Sequence, residues 1–234
     1  MKKYLIFLFV FLFFVSGALS ISLHATQDTN VYYHASTGEK VIALTFDDGP
    51  HPSYTDRILD VLEQEGVKAT FFVIGENVAA YPEVTRRVFG AGHEIGNHTY
   101  THPLGGKAQL AELEAEIRKT DALLEKLGCP TVRLFRPPQG KYPAGLASCL
   151  QQSGKLTVLW NIDTRDWDKR TEAQIINEVE TKVHGGDIVL FHDFVGGESA
   201  TIPAIKKLIP ALKERGYRFV TVSELLALYT AKSD

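Results

Sequence analysis

Five short stretches hold the residues able to do chemistry. Residues 45–50 end in two adjacent carboxylates, Asp47 and Asp48, before Gly49-Pro50 turns the chain away. Side chains alternate along a strand, so neighbouring aspartates point different ways and can take different jobs. Alone, Asp-Asp-Gly-Pro is more often a plain turn. Residues 98–102 place His98 and His102 four apart, and on one helical turn both rings face one side, as binding a single metal requires. With a carboxylate from another strand end they make a two-histidine, one-carboxylate set, which leaves coordination positions open for water and substrate. Residues 136–140 (Arg136-Pro-Pro-Gln139-Gly), 163–167 (Asp163 to Trp167) and 190–193 (Leu190-Phe-His192-Asp193) complete the group. Each of these three has a bland reading: a stiff loop with a salt-bridging arginine, a helix-capping turn with Trp167 filling a barrel mouth, a satisfied core histidine.

The elements that carry these stretches decide between the readings. Apolar, β-rich runs at 41–46, 69–74, 93–97, 134–136, 157–162, 187–191 and 218–221 read as strands. Between them, helical patterns occupy 55–64, 81–89, 108–127, 142–152, 172–183 and 202–215, and Ser223 is expected to cap a closing helix to residue 229. Seven strands alternating with helices predict a parallel sheet, and at this length a closed or nearly closed α/β barrel. Asp47 and Asp48 then end the first strand, His98 the third, Arg136 the fourth, and His192 the sixth, with Asp163 and Asp166 after the fifth. All those ends share one face, where barrel enzymes build their sites. Several accidents at one face are far less plausible than a site.

The chain has 234 residues, 44% hydrophobic and 23% charged, with net charge −3, which suits one globular domain with a substantial core. The near-neutral balance gives no support for nucleic-acid binding. Lys2-Lys3 precede an uncharged run of Leu, Phe, Ile and Val, followed by small residues around Ala18 to Ser20. That is the pattern of an export signal, although the run reaches about Leu23 and is long enough to anchor the chain in a bilayer instead. The expected organisation is therefore 1–25 as leader or anchor, 26–40 as a polar, mobile entry segment, and 41–230 as the working domain of an exported monomer. Cys129 and Cys149 either pair outside the cell or stay as buried free thiols.

From about Val41 to Ala227 the chain resembles the polysaccharide deacetylases, the NodB-like family also called carbohydrate esterase family 4. The five stretches 45–50, 98–102, 136–140, 163–167 and 188–193 match that family's motifs in order. The resemblance implies a distorted (β/α)7 barrel with its site at the C-terminal ends of the strands. It also implies roles: Asp47 as general base, and Asp48, His98 and His102 as ligands of one divalent ion, zinc first and cobalt or another divalent ion after it. Arg136 is similar to the arginine that holds the base, and Asp166 to the partner of His192, the catalytic acid. The backbone N–H of Gln139 lies where the family has an oxyanion donor, while Trp167 and Leu190 would line the acetyl pocket. One departure is Gln139 itself, where relatives usually carry tyrosine; contacts to a neighbouring sugar are what that change touches.

The function so implied is hydrolysis of N-acetyl groups on an acetylated amino-sugar polymer, peptidoglycan first, with chitin-type oligosaccharides and O-acetyl xylan as alternatives. Two readings of other classes compete. A non-haem iron oxygenase shares the ligand set but begins from a His-x-Asp/Glu pair, which is not the order here. A glycan-binding protein without catalysis would not need Asp47, Asp48, His98, His102 and His192 together.

Overall fold

A computed structural model describes residues 31–36, 38–104, 108–194, 196–197 and 199–230. The proposed leader therefore lies outside the described residues. The chain begins with β1 (Val31–Tyr32), β2 (Val41–Asp47), α1 (Tyr54–Gln64), β3 (Thr70–Val73), α2 (Gly75–Ala80), α3 (Pro82–Gly90) and β4 (Glu94–Asn97). It continues with α4 (Leu110–Lys126), β5 (Leu134–Phe135), α5 (Leu146–Gln152), β6 (Leu156–Val158), β7 (Ile162–Asp163) and α6 (Glu172–Lys182). The last elements are β8 (Ile188–His192), α7 (Thr201–Glu214), β9 (Arg218–Phe219) and α8 (Val222–Thr230).

Strand β2 is buried along its whole length, as an apolar run covered on both faces must be. β3 pairs with its upper half on one side and β8 with residues Ala43 to Asp47 on the other. β9 pairs with its first residues, Val41 and Ile42. All these ladders are parallel, and the sheet runs in the order β1-β6-β5-β4-β3-β2-β8-β7, curled into an open barrel with helices outside. The α/β barrel expected from the alternation is what forms, because parallel neighbours need helical crossovers, and crossovers of one hand put the helices on the outer face. Between the sheet and the outer helices, Phe46 stacks between Phe71 and Phe191, with ring centroids 5.1 and 5.6 Å away.

Three expectations need correction. The run 157–162 is not one strand: it splits into β6 and β7, which lie towards opposite ends of the sheet, with residues 159–161 crossing between them. The one polar residue of that crossing, the exposed Asn161, does not by itself announce such a change of partner. Part of the polar entry segment is structural. β1 pairs with β6, His34 bridges to Asp187, and Ala35 is fully buried with its N–H on Gly186 O at 2.8 Å. These residues tie the β1–β6 end of the sheet to the segment leading into β8 at the barrel base. Gly186 (φ 98°) is needed there, since a Cβ would sit 1.8 Å from Ala35 O. Finally, Thr221 rather than Ser223 caps α8. Its Oγ1 accepts from Glu224 N (3.3 Å) and its own N–H donates to Glu224 Oε2 (2.8 Å).

Both cysteines are free thiols. Cys149 donates to Glu114 Oε1 at 2.8 Å, and burial pushes the Cys129 thiol up to about 11. Among the described residues no helix is long and apolar enough to cross a membrane.

Candidate active site

The strand ends deliver their polar residues to one face. Asp47 closes β2 with its side chain buried, and Arg136, immediately after β5, reaches across the barrel to it. Arg136 is fully buried; its Nη1 donates to Asp47 Oδ1 and Thr45 Oγ1, both at 2.7 Å. Nε and Nη2 donate to the carbonyls of Val158 (3.2 Å) and Leu159 (2.9 Å), and the guanidinium lies over the Phe72 ring at 4.0 Å. A buried charge survives only when paired and saturated like this. One oxygen of Asp47 is thereby fixed, and the other, Oδ2, stands 3.8 Å from His98 Nε2.

His98 follows β4. Its Nδ1 donates to Arg136 O at 2.7 Å, which fixes the tautomer and leaves the Nε2 lone pair facing Asp48. Asp48 Oδ1 lies 3.4 Å from His98 Nε2 and 3.3 Å from His102 Nε2. The two imidazoles do come together, but not on a helical turn: Thr99 (φ 69°) and His102 (φ 54°) are left-handed, so a tight loop folds His102 back. That loop is pinned by residues the sequence reading did not single out. Asn97 Oδ1 accepts from Thr99 N (2.8 Å), Thr120 donates to Thr99 O (2.9 Å), and Glu116 Oε2 takes the N–H groups of Tyr100 and Thr101. Glu116 and Thr120 are one turn apart on α4, a polar pair beside the apolar stripe that alone was read in that helix. Asn77 of α2 likewise donates to the carbonyl of Asp48 at 2.7 Å.

His192 ends β8. Its Nδ1 and its backbone N–H both donate to Asp166, each at 2.8 Å, and Thr201 also donates to that carboxylate at 2.5 Å. Burial opposes a charge on His192, but the Asp166 hydrogen bond and charge, helped by Asp47 and Asp48, raise its pKa to about 9. It is therefore an imidazolium at neutral pH, with Nδ1 tied back and Nε2 left as the available donor.

One pocket of about 380 Å³ gathers eight of the ten expected residues: Asp47, Asp48, His98, His102, Gln139, Trp167, Leu190 and His192. Arg136 and Asp166 stand behind Asp47 and His192 rather than in the pocket. Trp160, Lys141 and Asp163 line it too. Gln139 sits at φ 57°, in the short turn Pro138–Gly140. Trp167 is 51% exposed, at the rim.

The residues fit a divalent ion. One donor atom from each of Asp48, His98 and His102 lies within 4.8 Å of the others, and nitrogen plus carboxylate oxygen suits zinc-like metals. Asp48 Oδ1 is buried without a hydrogen-bond partner, a costly arrangement that a cation would relieve. Burial opposes charging His98 as well, yet Asp47 and Asp48 pull its pKa above normal, so the site attracts positive charge.

Comparison with known proteins places the chain among relatives of the same fold. A family model described as polysaccharide deacetylase matches residues 34–158. A peptidoglycan-N-acetylglucosamine deacetylase of Bacillus cereus is 42% identical, over 84% of this chain and 92% of its own. The crystal structure of a peptidoglycan N-acetylglucosamine deacetylase superposes with TM-score 0.81 at 36% identity, covering 84% of this chain and 92% of the other. A family 4 acetyl xylan esterase from Clostridium thermocellum, solved with a cobalt ion, has TM-score 0.73 at 35% identity, covering 81% and 91%.

Proposed function

The chain belongs to the polysaccharide deacetylase family, carbohydrate esterase family 4, and from that premise we propose that it is an exported, metal-dependent hydrolase removing N-acetyl groups from amino sugars of a cell-wall polysaccharide, peptidoglycan first. The observation that carries the reading is the pairing of opposite proton-transfer groups across the Asp48, His98, His102 set. Asp47, anchored through Oδ1 by Arg136, keeps Oδ2 on the site side to take a proton from attacking water. His192, held charged by Asp166, gives a proton to the departing amine, which leaves poorly otherwise. The backbone N–H of Gln139 meets the developing oxyanion. Trp167 and Leu190 close around the acetyl methyl. Asp48, His98 and His102 would hold a divalent ion, zinc first, which would supply Lewis-acid polarisation of the amide carbonyl and a lowered pKa for water.

Export rests on the leader-like residues 1–25, as signal or anchor, and the Bacillus cereus relative supports peptidoglycan as the substrate. The test is acetate release from purified peptidoglycan, chitin oligomers and acetylated xylan, before and after chelation and after adding back zinc or cobalt. Release from peptidoglycan that falls with chelator and returns with metal is expected. Full release from metal-stripped protein would refute the mechanism, and release from xylan alone would refute the substrate.

A further inference from the structure

The loop that carries His102 is held from behind by a chain of polar groups that ends outside the catalytic pocket. Thr99 is the strained residue of that loop, a β-branched side chain at φ 69°, and such a conformation persists only where its surroundings impose it. Its hydroxyl accepts the N–H of His102 at 3.2 Å, so the placement of Thr99 carries over to the second imidazole. Asn97 fixes Thr99 in turn. Its carboxamide is fully buried and could face Thr99 either way round, but only the oxygen can accept the Thr99 N–H, at 2.8 Å. The orientation is selected on the other side, where Nδ2 donates to Ile117 O (2.8 Å) and to Asp121 Oδ1 (2.9 Å), two groups that only accept.

Asp121 is itself braced. Lys155, just ahead of β6, donates from Nζ to the same Oδ1 at 2.9 Å and to Val132 O at 2.6 Å. The lysine side chain is only 12% exposed, so its ammonium has little water to turn to in place of these two partners. Asp121 and Lys155 line a cavity of about 640 Å³ that has no residue in common with the catalytic pocket. An ion pair standing outside the site is therefore joined to the ligand loop through one buried carboxamide. We propose that Asp121, braced by Lys155, is a positioning residue for the metal: it sets the face that Asn97 shows to Thr99, and through that turn the reach of His102 toward Asp48. His98 is anchored separately, through Arg136 O, so the effect falls on one ligand of the three. The inference rests on the reading of Asp48, His98 and His102 as ligands of a divalent ion.

The experiment is titration calorimetry of the metal-free protein with zinc, for the wild type, Asp121→Ala, Asp121→Asn and Lys155→Met, with denaturant unfolding of the same four proteins alongside. Losing an outer partner of a metal ligand costs about 10–100-fold in affinity, and Asp121 acts through two further residues, so Asp121→Ala binds zinc about tenfold more weakly. Asp121→Asn can put its amide oxygen where Oδ1 stands and accept from both Lys155 and Asn97, so it stays within about twofold of the wild type. Lys155→Met leaves Asp121 unbraced and falls between the two. Wild-type affinity in Asp121→Ala or in Lys155→Met, even with lowered stability, would overturn the proposal by showing an ion pair that only supports the fold. So would an Asp121→Asn as weak as Asp121→Ala. If Asp121→Ala does not fold, Lys155→Met and Asp121→Asn decide: wild-type affinity in the first, or a loss of about tenfold in the second, overturns it. If the wild type itself binds no zinc, the ligand reading falls first, and the positioning role with it.

Discussion

Replacing Asp166 with asparagine removes one negative charge from behind His192 while keeping the shape of the side chain. In the structure that carboxylate accepts two hydrogen bonds from His192 and one from Thr201. The rise of His192 from 6.5 to about 9 corresponds to roughly 3 kcal/mol of preference for the charged ring. Asp166 is its main source, because burial works the other way. Without that charge the pKa falls back to 6.5 or lower. Asparagine can serve Thr201 and the backbone N–H with its oxygen only by turning its NH₂ toward Nδ1, which also favours the wrong tautomer. At pH 7.5 the protonated fraction then drops about tenfold, before any cost of the tautomer. A divalent ion in the same pocket lowers His192 in both proteins, so the comparison is between metal-loaded forms. The assay is kcat/KM against pH on an acetylated glycan and on an aryl acetate. The alkaline limb should move down by more than one pH unit on the glycan. The ester should suffer far less, because a phenolate leaves without an acid. An alkaline limb in its wild-type place, or equal losses on both substrates at every pH, would refute the assignment. The sign for stability is the same: in the metal-free chain the His192 contribution is complete below pH 6.5 and is lost as pH rises through about 9.

Arg136→Met should cost about 3–5 kcal/mol in denaturant unfolding, because Asp47 is left buried without its partner; a loss below 1 kcal/mol would contradict the pairing. Gly49→Ala would place a Cβ 1.9 Å from Asp193 Oδ2, so the carboxylate or the turn bearing Asp48 must move. It should lower stability by about 1–3 kcal/mol and weaken zinc binding in titration calorimetry, and unchanged zinc affinity would count against the turn as a template. Asp48→Ala should abolish stoichiometric zinc binding and activity together while leaving the circular dichroism spectrum intact; retained stoichiometric metal would displace Asp48 from the ligand set.

The barrel was legible because each strand is a short apolar run and each crossover a helical stripe, and these patterns repeat. The site residues were legible because parallel pairing sends every strand end to one face. What could not be read was the support. His98 and His102 are four apart in sequence, but their meeting depends on left-handed residues at 99 and 102, and no residue type there announces a positive φ. Asn97, Glu116 and Thr120 act through backbone groups of that loop, a relation visible only once α4 is docked on it. The split of 157–162 was hidden because only Asn161 interrupts a β-rich run there. At Gln139 the φ of 57° excludes proline, whose ring fixes φ near −65°, and no residue type there announces that conformation either.

The short β1 also gives the molecule a direction. It runs parallel to β6, so the chain arrives from the end of the barrel opposite the catalytic pocket. Only residues 24–30 separate it from the end of the uncharged run near Leu23. At about 3.5 Å per residue those seven residues reach no more than about 25 Å. If the proposed leader is kept as an anchor, the barrel is therefore leashed close to the bilayer by its base. The catalytic pocket, at the opposite end of the barrel, would then open away from that attachment point, toward whatever polymer lies beyond the membrane.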